Sequence, residues 1–306
     1  ADSGAAEGDR KDARPNPQWL EGWNIGKPDA VFGMPKPFDI PASGTIEYQY
    51  LVLETGFDED KWIERAEVRP GNRELNHHVI AFIRPPGSQW FAGAKAGEVF
   101  VPKRAERSAR NVRAGGANSE GVSGAGAGMA GVELLVGYAP GLQPQVSPPG
   151  AAKLLKKGSA IVFQLHYTAN GTAGSDLTKI GLVFAKEQPK YRQLTMNATN
   201  NRFVIPSNAA AHEVKSSITL HADTNLLWLM PHMHLRGKDF KYTVTYPTGE
   251  TEVLLNVPRY DFNWQLGYVL AQPKLLPKGS RIDCVAHFDN SPNNAANPDP
   301  KSEVRW

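Results

Sequence analysis

Short runs of β-branched and aromatic residues, broken every few positions by Gly or Pro, dominate the hydrophobic pattern of this chain. No segment keeps the 3.6-residue apolar repeat of an amphipathic helix over three turns, so the runs are typical of strands. The pattern predicts strands at 46–54, 77–84, 132–138, 159–168, 178–185, 214–222, 226–234, 240–246, 251–257 and 280–288. Many short strands separated by turn residues favour an all-β protein of β-sandwiches or jelly rolls.

Two breaks in this pattern suggest how the chain is divided. Residues 103–131 begin with a charged run and continue as a Gly-Ala-Ser sequence, which predicts a long mobile insertion loop because glycine makes regular structure costly. The polar, proline-containing stretch 186–192 predicts a domain boundary. The resulting prediction is a linker-like extension over 1–35, an N-terminal domain over 36–188 that contains the insertion, and a C-terminal domain over 189–306.

Composition excludes several classes of function. The 306 residues include 34 basic and 31 acidic side chains, a net charge of +3, and no basic cluster interleaves with aromatics, which argues against nucleic acid as a partner. No stretch approaches the roughly 20 apolar residues of a membrane span, so no transmembrane segment is expected. Cys284 is the only cysteine, which rules out an internal disulfide and a thiolate metal site, and its apolar neighbours predict a buried thiol.

Five of the eight histidines fall into three short motifs. His232 and His234 are separated by one residue, and on a strand this spacing places both rings on one face. Two neutral imidazoles on one face are the beginning of a transition-metal site. The alternative is a pair of hydrogen-bonded histidines at the end of a strand.

The other two motifs are His77-His78 and a strand that carries His166. Neighbours on a regular strand point to opposite faces, so His77 and His78 can reach one metal only at a bulge or a strand end. Otherwise, one of them is buried and the other exposed. Gln164 and His166 share a face of their strand, which suits the wall of a site, although a solvated sandwich face explains them equally well.

Taken together, the three motifs resemble those of the copper type II, ascorbate-dependent monooxygenases. This family includes peptidylglycine α-hydroxylating monooxygenase and dopamine β-monooxygenase, and the likeness is to its uncharacterised bacterial branch. The shared pattern is an HH pair, then Gln-x-His-Tyr, then HxH. Further blocks carry the likeness, which runs from about Trp19 to the C-terminus: Glu-Gly-Trp-Asn-Ile-Gly-Lys-Pro-Asp (21–29), Pro-His-Met-His-Leu-Arg-Gly-Lys (231–238), Tyr-Asp-Phe-Asn-Trp-Gln (260–265) and Phe-Asp-Asn-Ser (288–291).

The resemblance implies two antiparallel jelly-roll β-sandwich domains that face each other across a cleft, each with one copper. The first copper would be bound by His77, His78 and His166 and would relay an electron. The second would be bound by His232, His234 and a methionine, and would bind dioxygen for hydroxylation of a C–H bond. Gln164 matches a glutamine of the family and would orient water near the first copper.

Three departures from the family pattern matter. The methionine ligand is expected in an acidic context that this chain reaches only at its end, Glu303 to Trp306, which suggests truncation just before the ligand. Met230 stands where peptide-amidating relatives carry an arginine that anchors a substrate carboxylate, so a neutral or aromatic substrate is expected. The single cysteine contrasts with the disulfide-rich animal enzymes.

The resulting expectation is a copper monooxygenase that acts on a small organic substrate with dioxygen and ascorbate or another one-electron reductant. An attached or partner c-type cytochrome is an alternative donor, and family context suggests an extracytoplasmic location, either periplasmic or secreted. Two other functions stay open, namely a copper-binding electron-transfer module without oxygenase activity and a jelly-roll ligand-binding module with structural histidines.

Overall fold

The computed structural model describes residues 22–102, 132–200, 202–262, 264 and 267–305. Within these ranges the chain forms strands and turns and no helix, so the all-β class is confirmed. It follows that no described helix has the length and hydrophobicity of a membrane span. The predicted insertion at 103–131 lies outside the described residues, as does most of the predicted N-terminal extension.

The strands of the first half, in chain order, are β1 (Ala30–Gly33), β2 (Phe38–Ile40), β3 (Gln49–Glu54), β4 (Lys61–Arg69), β5 (Asn76–Arg84), β6 (Val99–Phe100), β7 (Glu133–Tyr138), β8 (Gln145–Val146), β9 (Ala151–Leu155), β10 (Ala160–Tyr167), β11 (Gly174–Asp176), β12 (Lys179–Phe184) and β13 (Tyr191–Arg192). Those of the second half are β14 (Val204–Ile205), β15 (His212–Thr219), β16 (Thr224–Leu229), β17 (Gly237–Thr245), β18 (Thr251–Val257), β19 (Tyr268–Leu276), β20 (Arg281–Phe288) and β21 (Val304–Arg305).

Two sheets of the first half share one hydrophobic core. One sheet has the strand order β1-β12-β4-β9-β13, with β8 also paired to β4, and the other has the order β6-β3-β10-β5-β7. Alternate residues of both sheets, such as Ile63 and Ile180 from the first and Leu51 and Phe163 from the second, meet in a single buried cluster. This packing is consistent with a β-sandwich.

The sheet that contains β10 is covered on both faces. Its outer face carries a second apolar cluster in which Tyr50 and Val162 pack with Trp90 from the segment after β5. As a result, β10 is buried over its whole length except at His166. The face that Gln164 shares with His166 is therefore not a solvated sandwich face. His166 lies beyond the part of this face that the second apolar cluster covers, and it is partly exposed.

The second half has its own core between a four-stranded sheet, β15-β20-β17-β18, and the two-stranded sheet β16-β19. Val244 and Ile282 from the larger sheet meet Leu229 and Leu276 from the smaller one. Cys284 is 4% exposed within this core, and burial raises the pKa of its thiol to about 12, so the predicted buried thiol is confirmed.

A buried ion pair fastens the connection between the two halves. Lys153 of β9 is 1% exposed, and its Nζ lies 3.6 Å from Glu133 Oε1 and donates to Thr195 Oγ1 at 2.8 Å and to the Leu134 carbonyl at 2.6 Å. Arg192 reaches the same carboxylate at 3.3 Å. Residues 191–195, which follow the predicted boundary, are thus still tied to the first half.

The prediction of a strand over 226–234 is wrong at its C-terminal end. β16 stops at Leu229, and the residues up to Arg236 cross from the two-stranded sheet to β17 in the four-stranded sheet. His232 and His234 therefore do not lie on a strand. A segment that changes sheets leaves the ladder of its old neighbour before it joins the new one, which an apolar pattern does not reveal.

Candidate metal centre

A β-bulge brings His77 and His78 together with His166. In the antiparallel pairing of β10 with β5, His166 lies opposite His78, but the next residue, Tyr167, lies opposite Asn76. His77 is therefore an extra residue in β5, and the local kink lets two neighbours point toward the same side. This is the condition under which the sequence predicted that both rings could serve one site.

The three imidazoles form a compact group. One ring nitrogen from each lies within 4.8 Å of the others, and the ring centroids are 4.8 Å apart for His78 and His166 and 5.1 Å apart for His77 and His166. The Nδ1 atoms of His77 and His78 are 3.0 Å apart. Among the described residues this is the one group of three or more such side chains with metal-binding spacing.

Two of the three rings, His78 and His166, are held in the neutral form that a metal requires. Burial, followed by the charges of His166, His77, His232 and His234 in that order, lowers the pKa of His78 to about 3. Burial, followed by His77 and His234, also lowers the pKa of His166. Neutral imidazoles offer a lone pair at physiological pH, so these rings are ready ligands.

An unpartnered nitrogen supports the fit to a metal. Nδ1 of His166 is buried and has no hydrogen-bond partner among the described residues. A buried polar atom without a partner is costly, and a metal ion bound at this group would satisfy a ring nitrogen of this kind. Three imidazoles suit copper, zinc or iron, and the absence of thiolate leaves copper among the natural choices.

One aromatic ring packs against one side of the histidine group. The ring of Tyr48 stacks on His166 with centroids 4.3 Å apart and planes inclined by 21°. Gln164 is 8% exposed and donates from Nε2 to the hydroxyl of Tyr50, its register partner on β3. Gln164 is thus fixed on the strand that carries His166, two residues away. The sequence reasoning missed Tyr48 because nothing in its polar surroundings indicates a partner.

His232 and His234 form a second, more exposed pair. Their ring centroids are 5.3 Å apart with planes inclined by 82°, while Met233 between them is 1% exposed and belongs to the core of the second half. Partial burial, followed by the charge of His232, lowers the pKa of His234. Both rings also act on the pKa of His78, so the pair and the three-histidine group are neighbours in space.

The backbone of the crossing segment is held by tyrosines that the sequence reasoning did not single out. The Tyr242 hydroxyl donates to the Met230 carbonyl at 2.9 Å, and the Tyr260 hydroxyl binds both the amide and the carbonyl of Met233. Tyr260 belongs to a block that supports the resemblance, and that is the signal that could have found it. His287, by contrast, is placed between Asp239, 2.7 Å from its Nδ1, and Glu213, 3.7 Å from its Nε2.

Comparison with known proteins adds no relative to this description, since the chain matches no family model and no curated protein.

Proposed function

We propose that this chain is a copper-dependent monooxygenase that hydroxylates a C–H bond of a small organic substrate. In this reaction one oxygen atom of dioxygen enters the C–H bond and the other leaves as water. Two electrons come from ascorbate or another one-electron donor, and two protons come from solvent. The observation that carries the proposal is the compact group of His77, His78 and His166 beside the pair of His232 and His234.

The proposal assigns separate tasks to the two histidine groups. His77, His78 and His166 would hold a copper that takes electrons from the donor, and His232 and His234 would contribute to a second copper beside the substrate. Bound copper would supply one-electron redox chemistry and a site for dioxygen. The stacked ring of Tyr48 keeps His166 in place, and Gln164, anchored by Tyr50, would fix the polar surroundings of the first group.

The finer architecture is part of the same proposal. Two jelly-roll domains, one around each core, would face each other with the histidine groups on opposing sides of a cleft. An extracytoplasmic location would fit the use of dioxygen and an external reductant, and a c-type cytochrome could replace ascorbate as donor.

One observation favours a second candidate function. Only the first group reaches three close donors among the described residues, whereas the exposed pair brings two. A chain that binds copper at the first group alone would carry electrons without inserting oxygen.

Copper stoichiometry and oxygen uptake separate these functions. We expect two coppers per chain after loading of the reduced protein, the second bound more weakly because its histidine pair brings only two donors. We also expect slow ascorbate-driven oxygen uptake that requires an added compound such as 2-phenylethanol, which is neutral, aromatic and has a benzylic C–H bond. If the chain is an electron-transfer module, it should bind one copper and show no oxygen uptake that depends on an added organic compound.

A histidine substitution tests the assignment of the first group. H166A should remove the more tightly bound copper and abolish coupled uptake, because two imidazoles bind copper far more weakly than three. H221A, which alters an exposed histidine in a loop, is the matched control and should keep both. Full coupled turnover in H166A would reject the role given to His166.

A further inference from the structure

The segment that carries His232 and His234 lacks the support that strands give to the first group. Residues 230–236 connect β16 to β17 across the two sheets of the second half, and the segment pairs with no strand among the described residues. A backbone that leaves its ladder has freed amides and carbonyls that need other partners. The His234 carbonyl accepts from the Gly237 amide at 2.8 Å and the Arg236 carbonyl from the Asp289 amide at 2.7 Å, whereas Met230 and Met233 depend on side chains for their backbone partners.

One side chain supplies partners to the residue between the two histidines. The amide of Met233 donates to the Tyr260 hydroxyl at 3.0 Å, and that hydroxyl donates to the Met233 carbonyl at 2.9 Å. Burial raises the pKa of Tyr260, so its hydroxyl keeps the proton that it donates. One oxygen thus fixes both backbone groups of a single residue, on either side of which an imidazole projects.

The position of Tyr260 is itself tightly defined. Its amide donates to the Lys238 carbonyl at the start of β17, at 2.8 Å. Its ring lies against Gly237, where a Cβ atom would come within 2.6 Å of Tyr260 Cδ1 and 2.8 Å of Met233 Cβ. There is room for the ring only because residue 237 has no side chain. Tyr260 and the block at 231–238 therefore pack together as one unit.

We propose that Tyr260 is a positioning residue that sets the spacing and orientation of the His232 and His234 rings. With the Met233 side chain in the core and its backbone fastened by the Tyr260 hydroxyl, the residues on both sides leave the segment in defined directions. The consequence for metal affinity rests on the function proposed above. The effect on ring geometry does not, because it follows from the hydrogen bonds alone.

The test is Y260F, which removes the hydroxyl and keeps the ring. Y246F is the matched control, because the Tyr246 hydroxyl binds the exposed carboxylate of Glu252 in a hairpin of the four-stranded sheet. We expect faster hydrogen exchange of the Met233 amide and shifted imidazole ¹⁵N resonances of His232 and His234 in Y260F, and neither in Y246F. In an H77A/H166A background, which leaves one imidazole at the first group and two at the second, Cu(I) affinity should fall by roughly 10 to 100-fold in Y260F, as for other residues that orient metal ligands.

The outcomes are distinguishable. If the Met233 amide exchanges faster in Y260F while the ring resonances and the Cu(I) affinity stay unchanged, the positioning role is overturned. Tyr260 would then contribute to folding alone. No Cu(I) binding by the parent H77A/H166A protein would count against the second copper of the proposed function, while the ring resonances would still decide the role of Tyr260. If Y260F fails to fold, G237A displaces the ring and keeps the hydroxyl, and the same resonances should shift.

Discussion

The two histidine groups are built by different means, one by the backbone of a sheet and the other by side chains that hold a crossing segment. His78 and His166 are cross-strand partners in a sheet that is covered on both faces, and a bulge adds His77. His232 and His234 lie after the end of β16, where tyrosine hydroxyls replace strand partners.

This difference predicts different sensitivities. In a sheet, many backbone hydrogen bonds together hold each residue in position. The geometry of the first histidine group should therefore survive the loss of a single core contact. The second group depends on a few named contacts near Met233. Loosening the second half should therefore disturb its histidines before it unfolds the chain.

The strongest test compares two equivalent core truncations. Leu165, 0% exposed, is the neighbour of His166, and Met233, 1% exposed, lies between His232 and His234. We expect L165A and M233A each to lower the free energy of unfolding by about 2 to 5 kcal/mol, measured by urea titration. Under native conditions only M233A should weaken the copper affinity of its own histidine group.

Equal loss of copper affinity in both variants would contradict the comparison, because the ladder would then give the first group no advantage.

A smaller effect is expected from a single added methyl group. G237A places a Cβ atom against Tyr260 and should cost about 1 to 3 kcal/mol of stability through overpacking, as well as disturbing the second pair. G93A is the control, since a Cβ at Gly93 meets nothing within 4 Å and its backbone is not in the left-handed region. Thermal unfolding of both variants measures the difference, and equal midpoints would refute the close packing at Gly237.

The last effect appears only in acid and is the pH dependence of stability that follows from the lowered pKa of His78. Its pKa falls from 6.5 to about 3 on folding, so between these values the unfolded chain binds more protons than the folded chain. The metal-free protein should therefore lose stability as the pH falls through 6.5 toward 3, and that stability is fully present above 6.5. H78N should show a shallower loss between pH 6.5 and 4, in urea titrations at a series of pH values. An unchanged slope would mean that His78 titrates alike in both states.

Most of the longer strands were predictable, and two of those that were missed, β4 and β9, contain buried charges. The pattern of alternating apolar residues located β5, β10, β17, β18 and β20 within a few positions. It did not find β4, in which Glu67 is buried and accepts hydrogen bonds from Asn24 and from the amide of Ile25, or β9, which contains the buried Lys153. A sequence pattern assigns such charged residues to a solvated face, because the partners that allow their burial are distant in the chain. Asn24 and Ile25 are 43 and 42 residues from Glu67, and Thr195 is 42 residues from Lys153.

The histidines of the site were predictable from the sequence, whereas the contacts that hold them in place were less so. The order of the histidine motifs suggested the two groups, and the adjacency of His77 and His78 correctly required a bulge or strand end. The crossing segment, the ring of Tyr48 and the hydroxyl of Tyr260 depend on tertiary contacts that have no local signature. Copper, dioxygen chemistry and the two-domain cleft stay predictions.

The bulge at His77 separates the capacity to bind metal from the capacity to fold. Removal of that one residue would restore uniform pairing between Asn76 and Tyr167 and leave the hydrophobic register from Val79 onward intact. The scaffold would persist while the group lost a donor. Gain or loss of that donor on such a framework needs only the insertion or deletion of a single codon, without any redesign of the interior.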